Sequence, residues 1–473
     1  MDKLLELVFI PCPGMGHLIP MLETATRLAS HDPRVSITFL VMKLSSDTKI
    51  DLYTRSMASA LGQRVMVQYL PQQDEPVANN PIEYLIKLVE SHKPDVIDAV
   101  RDLPRVSAFV VDMMCGTMMD VARSIGVPSY VFFPSNASSL SLLFYLQEMH
   151  DRYGKCLTEY ADSSDMLDFP SFVNPLPAKV LPSVMIIKEL MDIGLGWTRE
   201  FKESKGMLVN TFVELEAASI KYLSDLDVPP IYPIGPIVRS KTVESNSTSS
   251  PGGSHAEIFK WLDNQPDSSV LLLCFGSIGS FCKDQVKEIS IALENTGYRF
   301  LWSLKQPPND TDVNIPDDYP SFDGILPEGF LERTVGMGKV IGWAPQAEIL
   351  AHRSVGGFIS HCGWNSILES MWFGVPIATW SLYSEQQFNA FLMVKELGLS
   401  VEIRIDYNLN FNPMLVQAED IEKGIREVMK EEGETRKRVK EMSEAGKKAL
   451  QEHGSSNMSL EKFIHDVIDA TSC

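Results

Sequence analysis

Residues 355–380 read VGGFISHCGWNSILESMWFGVPIATW, and the fold class follows from how that stretch divides. The short run at 357–360 has the apolar, aromatic and β-branched character of a buried strand. It stops at a polar turn, His361 to Ser366. A helical pattern then continues through Glu369 to Trp372, and Gly374 and Pro376 end it. At 377–380 a second apolar run restarts the strand pattern. Strand, turn, helix, turn and strand form the unit of a parallel sheet, whose neighbouring strands need a crossover long enough to hold a helix.

The same alternation extends in both directions. In the first half the expected strands are 7–10, 35–42, 65–70, 108–111, 129–133 and 207–211. In the second half they are 270–275, 300–304, 340–343, 357–360, 377–380 and 401–403. Most are rich in Val, Ile and Phe without polar alternation, the pattern of parallel strands covered on both faces. Between the two series, residues 240–255 read SKTVESNSTSSPGGSH, a linker composition. The expectation is an α/β chain with two Rossmann-like, doubly wound parallel-sheet domains. Residues 1–239 form the first, 240–256 the linker and 257–454 the second. Residues 418–450 are charged, amphipathic and helical. A last helix in 455–473 puts Leu460, Phe463, Ile464, Val467 and Ile468 on one face, which must pack on something.

Composition narrows the function classes. Of 473 residues, 42 are Lys or Arg and 62 are Asp or Glu, a formal net charge of −20. Such a surface disfavours nucleic acid and anionic membranes, so any phosphate must be held by a local device. No signal-like segment opens the chain, and no apolar run is long enough to span a bilayer. The seven cysteines (12, 115, 156, 274, 282, 362 and 473) form no Cys-x-x-Cys pair, the usage of a reduced, cytoplasmic protein. Asn136, Asn246, Asn309 and Asn457 stand in glycosylation sequons and are read as chance matches.

Two places carry chemistry. The first strand runs into Pro11-Cys12-Pro13-Gly14-Met15-Gly16-His17, where a histidine beyond a strand end can act as a general base. Asp112 follows the strand at 108–111 and can steady the imidazolium from an adjacent strand end. The plainer alternatives are a helix-start histidine and a capping aspartate. In the second half, Gly276-Ser277-Ile278-Gly279 after a strand presents free N–H groups to an anion. His361, Asn365 and Ser366 begin another helix and point the same way. Glu369 has the reach to accept from ribose hydroxyls, although Ser366 and Glu369 also have capping-box spacing. Trp343 offers a flat face for a base, and Glu385 and Gln386 a grip on sugar hydroxyls. His361 and Cys362 lack companion ligands nearby, so no metal site is expected.

Taken together, Trp343-Ala344-Pro345-Gln346, His361-Cys362-Gly363-Trp364-Asn365-Ser366, Glu369, Gly374-Val375-Pro376 and Glu385-Gln386 resemble the signature segment of plant secondary-product UDP-glycosyltransferases. The resemblance covers the whole chain, with His17, Asp112 and Ser277 matching further functional positions. It implies the GT-B fold, with donor bound by the second lobe, acceptor by the first, and a cleft between. Trp343 would then stack on uracil, and Gln346 and Glu369 would hold the ribose. His361, Asn365 and Ser366 would take the diphosphate, with Trp364, Glu385 and Gln386 facing the sugar. It also implies metal-free, inverting transfer and a last helix that packs back on the first lobe. Glu385 departs from the commoner Asp, and Ala347 from the usual Val; Gln386 is the type found in glucose users. UDP-glucose is therefore the expected co-substrate, with no other cofactor, and a monomer is expected. Gly14, Met113, Phe133 and Leu140 are the candidate contacts for a small apolar acceptor such as a flavonoid, phenolic or terpenoid. Two other functions are weighed: a non-catalytic UDP-sugar-binding protein, and an NAD(P)-dependent oxidoreductase. Against the latter, Gly14-x-Gly16 lacks the third glycine of the dinucleotide fingerprint.

Overall fold

Successive side chains of a strand point to opposite faces, so a strand buried on both faces must feed two cores. Strand β1 (Leu5–Ile10) does so: Leu5, Leu7 and Phe9 enter one apolar cluster, Val8 and Ile10 another. The computed structural model describes residues 4–43, 64–103, 105–238, 255–308, 316–409 and 414–471. The first sheet continues with β2 (Val35–Val41), β3 (Val65–Tyr69), β4 (Ala108–Asp112) and β5 (Ser129–Phe133). Beyond a two-stranded hairpin, β6 (Met166–Leu167) with β7 (Leu176–Pro177), come β8 (Met207–Val209) and β9 (Ile231–Pro233). The order is β3-β2-β1-β4-β5-β8-β9, parallel throughout.

The second sheet contains β10 (Val270–Cys274), β11 (Arg299–Ser303), β12 (Gly338–Ile341), β13 (Val355–Ser360), β14 (Ile377–Trp380) and β15 (Ser400–Arg404). Its order, β12-β11-β10-β13-β14-β15, is again wholly parallel. Both sheets thus reverse direction next to their first strand, as doubly wound folds do. The helices that matter here are α1 (Met15–His31), α2 (Ala137–Tyr153), α3 (Val213–Asp225), α4 (Trp364–Trp372), α5 (Gln386–Phe391), α6 (Ala418–Val428), α7 (Glu434–Ala449) and α8 (Ser455–Ala470). None among the described residues is long and apolar enough to cross a membrane.

Three details differ from expectation. Strand β9 was masked in the sequence by prolines 229, 230 and 233, which suit only a sheet edge. The helical stretch 418–450 is two helices, broken before Gly433. The strand expected at 340–343 ends at Ile341, leaving half-buried Trp343 in the loop beyond it. The linker, apart from 255–256, and Asn246, Asn309 and Cys473 lie outside the described residues.

Helix α8 follows all of the second sheet yet packs on the first. Leu460, Phe463, Ile464 and Val467 are buried among β1, β2 and β5 side chains, with Ile468 at the margin. The Phe463 ring stands edge-on to Tyr130 (centroids 5.0 Å, 85°) and Tyr232 (5.5 Å, 73°). Tyr232 donates its hydroxyl to Asp466 at 2.5 Å. Phe463→Ala removes the centre of this packing and should cost about 3–5 kcal/mol, read as a lowered urea midpoint for the first lobe. An unchanged midpoint would show that α8 does not stabilise that lobe.

Candidate active site

Where strand order reverses, the helices after two adjacent strands depart to opposite faces, leaving a crevice beyond the strand ends. In the first sheet the reversal lies between β1 and β4, and in the second between β10 and β13. His17 and Asp112 flank the first crevice; Gly276-Ser277 and His361 flank the second.

At the first crevice His17 Nδ1 lies 3.1 and 2.9 Å from the two Asp112 oxygens. Asp112 is wholly buried and also accepts the Met114 N–H at 3.0 Å, which fixes its carboxylate. Gly14 caps α1 at φ 130, a backbone conformation that disfavours a side chain, and so aims the first helical turn at the crevice. Burial opposes charge on the His17 ring, but the Asp112 carboxylate, by charge and hydrogen bonding, outweighs that penalty. Glu385 adds to it, and the pKa rises from 6.5 to about 9. The pair is therefore a strong base that holds its proton at neutral pH.

At the second crevice the ring of His361 is buried, and burial together with the nearby Lys305 ammonium lowers its pKa to about 3. It is a neutral hydrogen-bonding group, and its Nδ1 has no partner among the described residues. The ring occupies the space left by two missing side chains: a Cβ on Gly276 or Gly363 would lie 2.6 Å from Nε2. Gly276 also sits at φ 76, so the turn has two reasons for glycine there. Ser277 is exposed. The first turn of α4 brings the N–H groups of Trp364, Asn365 and Ser366, which an α-helix leaves without internal partners.

Beside this cradle Gln346 Nε2 donates to Ser366 Oγ at 2.9 Å and to Glu369 Oε2 at 2.7 Å. Ser366 and Glu369 therefore do not form a capping box; the helix cap is Gly363, without a side-chain bond. Ala344 is buried next to half-buried Trp343. Glu385 precedes α5, half-buried; burial raises its carboxyl pKa, its own backbone amide and the His17 charge opposing.

Three expected roles need correction, and a fourth residue has a further one. The Trp364 indole does not face the crevice: it is 3% exposed and donates to the Asn210 carbonyl at 2.7 Å. Only its main chain is placed for a ligand. Gln386 is buried, and its Oε1 accepts the N–H groups of Leu382 (3.0 Å) and Tyr383 (3.2 Å), so it holds a turn. Phe133 and Leu140 belong to the apolar core, where Phe133 packs edge-on to Phe201. Half-buried Met113 and Gly14 stay near the dyad, whereas Met118 and Met119 are core residues.

The two crevices face each other across a bonded seam. Asn365 Nδ2 donates to the carbonyl of Gly16, next to His17, at 2.9 Å. Phe172 stacks on Phe388 (5.4 Å, 11°) and Phe391 (6.1 Å, 18°). Lys305 was not anticipated, though it stands just past a strand end like His17. Its Nζ donates to the carbonyls of Gly276 and Ser277 at 2.8 and 3.0 Å, shaping that turn. Asn210 and Asn389 carried no motif signal, and Asn136 only a glycosylation sequon. Among the described residues no group of three or more His, Cys, Asp or Glu could hold a metal ion.

Comparison with known proteins places the chain among relatives of known family and fold. Residues 204–445 match the family described as UDP-glucoronosyl and UDP-glucosyl transferase. The chain is 49% identical to UDP-glucose flavonoid 3-O-glucosyltransferase 6 of Fragaria ananassa, over 99% of each chain. It superposes on a UGT of Siraitia grosvenorii in complex with UDP with a TM-score of 0.87 and 43% identity, covering 98% of this chain and 100% of that one. For a Medicago truncatula UGT complexed with UDP-glucose the TM-score is 0.86 and the identity 37%, over 99% and 98%. These matches support the GT-B fold and the transferase function over the oxidoreductase and non-catalytic alternatives.

The elevated His17 pKa has one main source and can be tested at it. In Asp112→Asn, burial acts with little opposition, so the imidazole titration followed by NMR should fall below about 6.5, its unperturbed value. A titration still near 9 would assign the shift to another group.

Proposed function

The chain belongs to the UDP-glucoronosyl and UDP-glucosyl transferase family, and on that premise we propose that it transfers glucose, with inversion, from UDP-glucose to a hydroxyl of a flavonoid or similar phenolic or terpenoid. The single observation that carries this is the 2.9 Å His17–Asp112 contact at one crevice, opposed to a helix N-terminus and a neutral histidine at the other.

His17 removes the acceptor proton, and Asp112 stabilises the imidazolium that forms. The freed oxygen attacks the anomeric carbon from the side opposite the diphosphate. Negative charge then grows on the leaving UDP. The N–H groups of Trp364, Asn365 and Ser366, the His361 ring and Ser277 receive it as preorganised donors. Because His361 is neutral, it contributes a directed hydrogen bond rather than a charge. Trp343 stacks on the uracil. Gln346 and Glu369, already in contact, take the ribose hydroxyls, while Ala344 lies beside the base. Glu385 meets the glucose hydroxyls, and Gln386 shapes the turn from which it projects. Gly14 and Met113 border the acceptor.

This scheme requires no metal or other cofactor. The donor lobe spans 257–454, the acceptor lobe 1–239, with 240–256 linking them and 455–473 returning to the acceptor lobe. We place the enzyme in the cytoplasm as a monomer.

Incubation with UDP-glucose and a panel of flavonoids, simple phenols and terpenoids should give hexose adducts by mass spectrometry. His17→Ala should lower kcat/KM for an alcohol acceptor by about 10²–10⁴-fold. The base is active only when neutral, so wild-type kcat/KM should climb with pH until about 9 and then level. A flat profile between neutral pH and 9, or near-full activity of His17→Ala, would remove His17 from the base role.

A further inference from the structure

One contact across the seam has no part in the chemistry above. Asn136 and Asn389 are both wholly buried, one in each lobe. Asn136 Nδ2 donates to Asn389 Oδ1 at 2.7 Å, and Asn389 Nδ2 donates to the carbonyl of Cys362 at 3.0 Å. Asn136 also caps α2, its Oδ1 accepting the Ser139 N–H at 2.6 Å. A line of amides thus runs from the start of α2 to the residue between His361 and Gly363. Buried side-chain amides cost stability unless they are hydrogen-bonded, and an apolar pair would pack without imposing direction. Both ends of this line are themselves fixed. The buried Glu216 carboxylate accepts the N–H groups of Ala137 and Ser138 at 2.9 and 2.8 Å, and the Thr211 hydroxyl, pinning α2. At the other end Cys362 is held at φ 64, a conformation that residues with a Cβ rarely adopt, and its carbonyl is the one Asn389 grips.

We propose that Asn136 and Asn389 are positioning residues for glucosyl transfer: their hydrogen bond sets the register between the lobe that carries His17 and the diphosphate cradle at 361–366. The inference rests on the function proposed above. Cys362 joins His361 to the start of α4, so an anchor on its carbonyl aims both groups that receive the leaving charge. Breaking the pair leaves the dyad and the donor cradle each intact but misaligned. In-line displacement does not tolerate that, since a shift of about 1 Å costs on the order of 10²-fold. The same buried position also closes the Asn136 sequon to glycosylation.

Asn136→Asp keeps an equally good helix cap but cannot donate to Asn389. However the Asn389 amide turns, two oxygens then face each other. Asn136→Ser also caps α2, introduces no charge, and is too short to reach. In both variants kcat with a flavonoid acceptor should fall about 10–10²-fold. The UDP dissociation constant from calorimetry should stay within about two-fold, because the donor cradle itself is untouched. Hydrogen exchange of the UDP-loaded protein should quicken at 361–366. A kcat within about two-fold of wild type, or UDP affinity falling as far as kcat, overturns the proposal. If the wild-type enzyme glucosylates no acceptor, the proposed function fails instead. The exchange comparison then judges the amide pair alone, and unchanged exchange at 361–366 overturns it.

Discussion

A parallel strand can be followed by a helix on either face of its sheet, and where two neighbours choose opposite faces nothing covers the gap between their ends. Both lobes are organised around that gap, one between β1 and β4 and one between β10 and β13. Its emptiness is imposed by connectivity, so chemistry placed there requires no carved-out core. The His17–Asp112 pair, the start of α4 and the turn braced by Lys305 all lie at or shortly beyond the end of a strand. Rigid strands fix their origins, and short turns aim them.

The environments of the two histidines show how position sets chemistry. Both imidazoles lie beyond a strand end, His361 buried and His17 partly so. His17 has a carboxylate 2.9 Å away and gains proton affinity; His361 loses it to burial first and to the nearby Lys305 ammonium second. Identical side chains thereby differ in charge at neutral pH, one protonated and the other not.

Much of this was legible in the sequence because strands buried on both faces are continuous apolar runs, and because turn residues mark their ends. The pairing of His17 with Asp112 was one open reading of two strand ends, and the family resemblance singled it out. Illegible were groups whose partner lies in the other lobe. Nothing around Trp364 announces that its indole N–H belongs to the Asn210 carbonyl, and nothing around Asn389 points to Asn136. Such contacts depend on how two independently patterned sheets are docked, which local periodicity does not encode. Phe133 and Leu140 were misjudged for a related reason: an apolar residue at a strand end or helix start reads alike whether it lines a pocket or fills a core. Lys305 was legible in principle, since it obeys the strand-end rule applied to the histidines, but a single lysine lacks a distinctive motif.

Helix α8 has a mechanical consequence. The chain passes from the first lobe to the second after residue 238 and comes back just before Ser455, so two covalent cords join the halves. Their ends on the first lobe lie close together, for Ser456 donates its hydroxyl to the Gly235 carbonyl and Ser455 bonds Glu214. A body hung from one cord swivels freely, whereas one hung from two adjacent cords swings like a door on its pins. Two tethers anchored at neighbouring points therefore oppose sideways sliding of the halves, which the buried amide pair across the seam also resists.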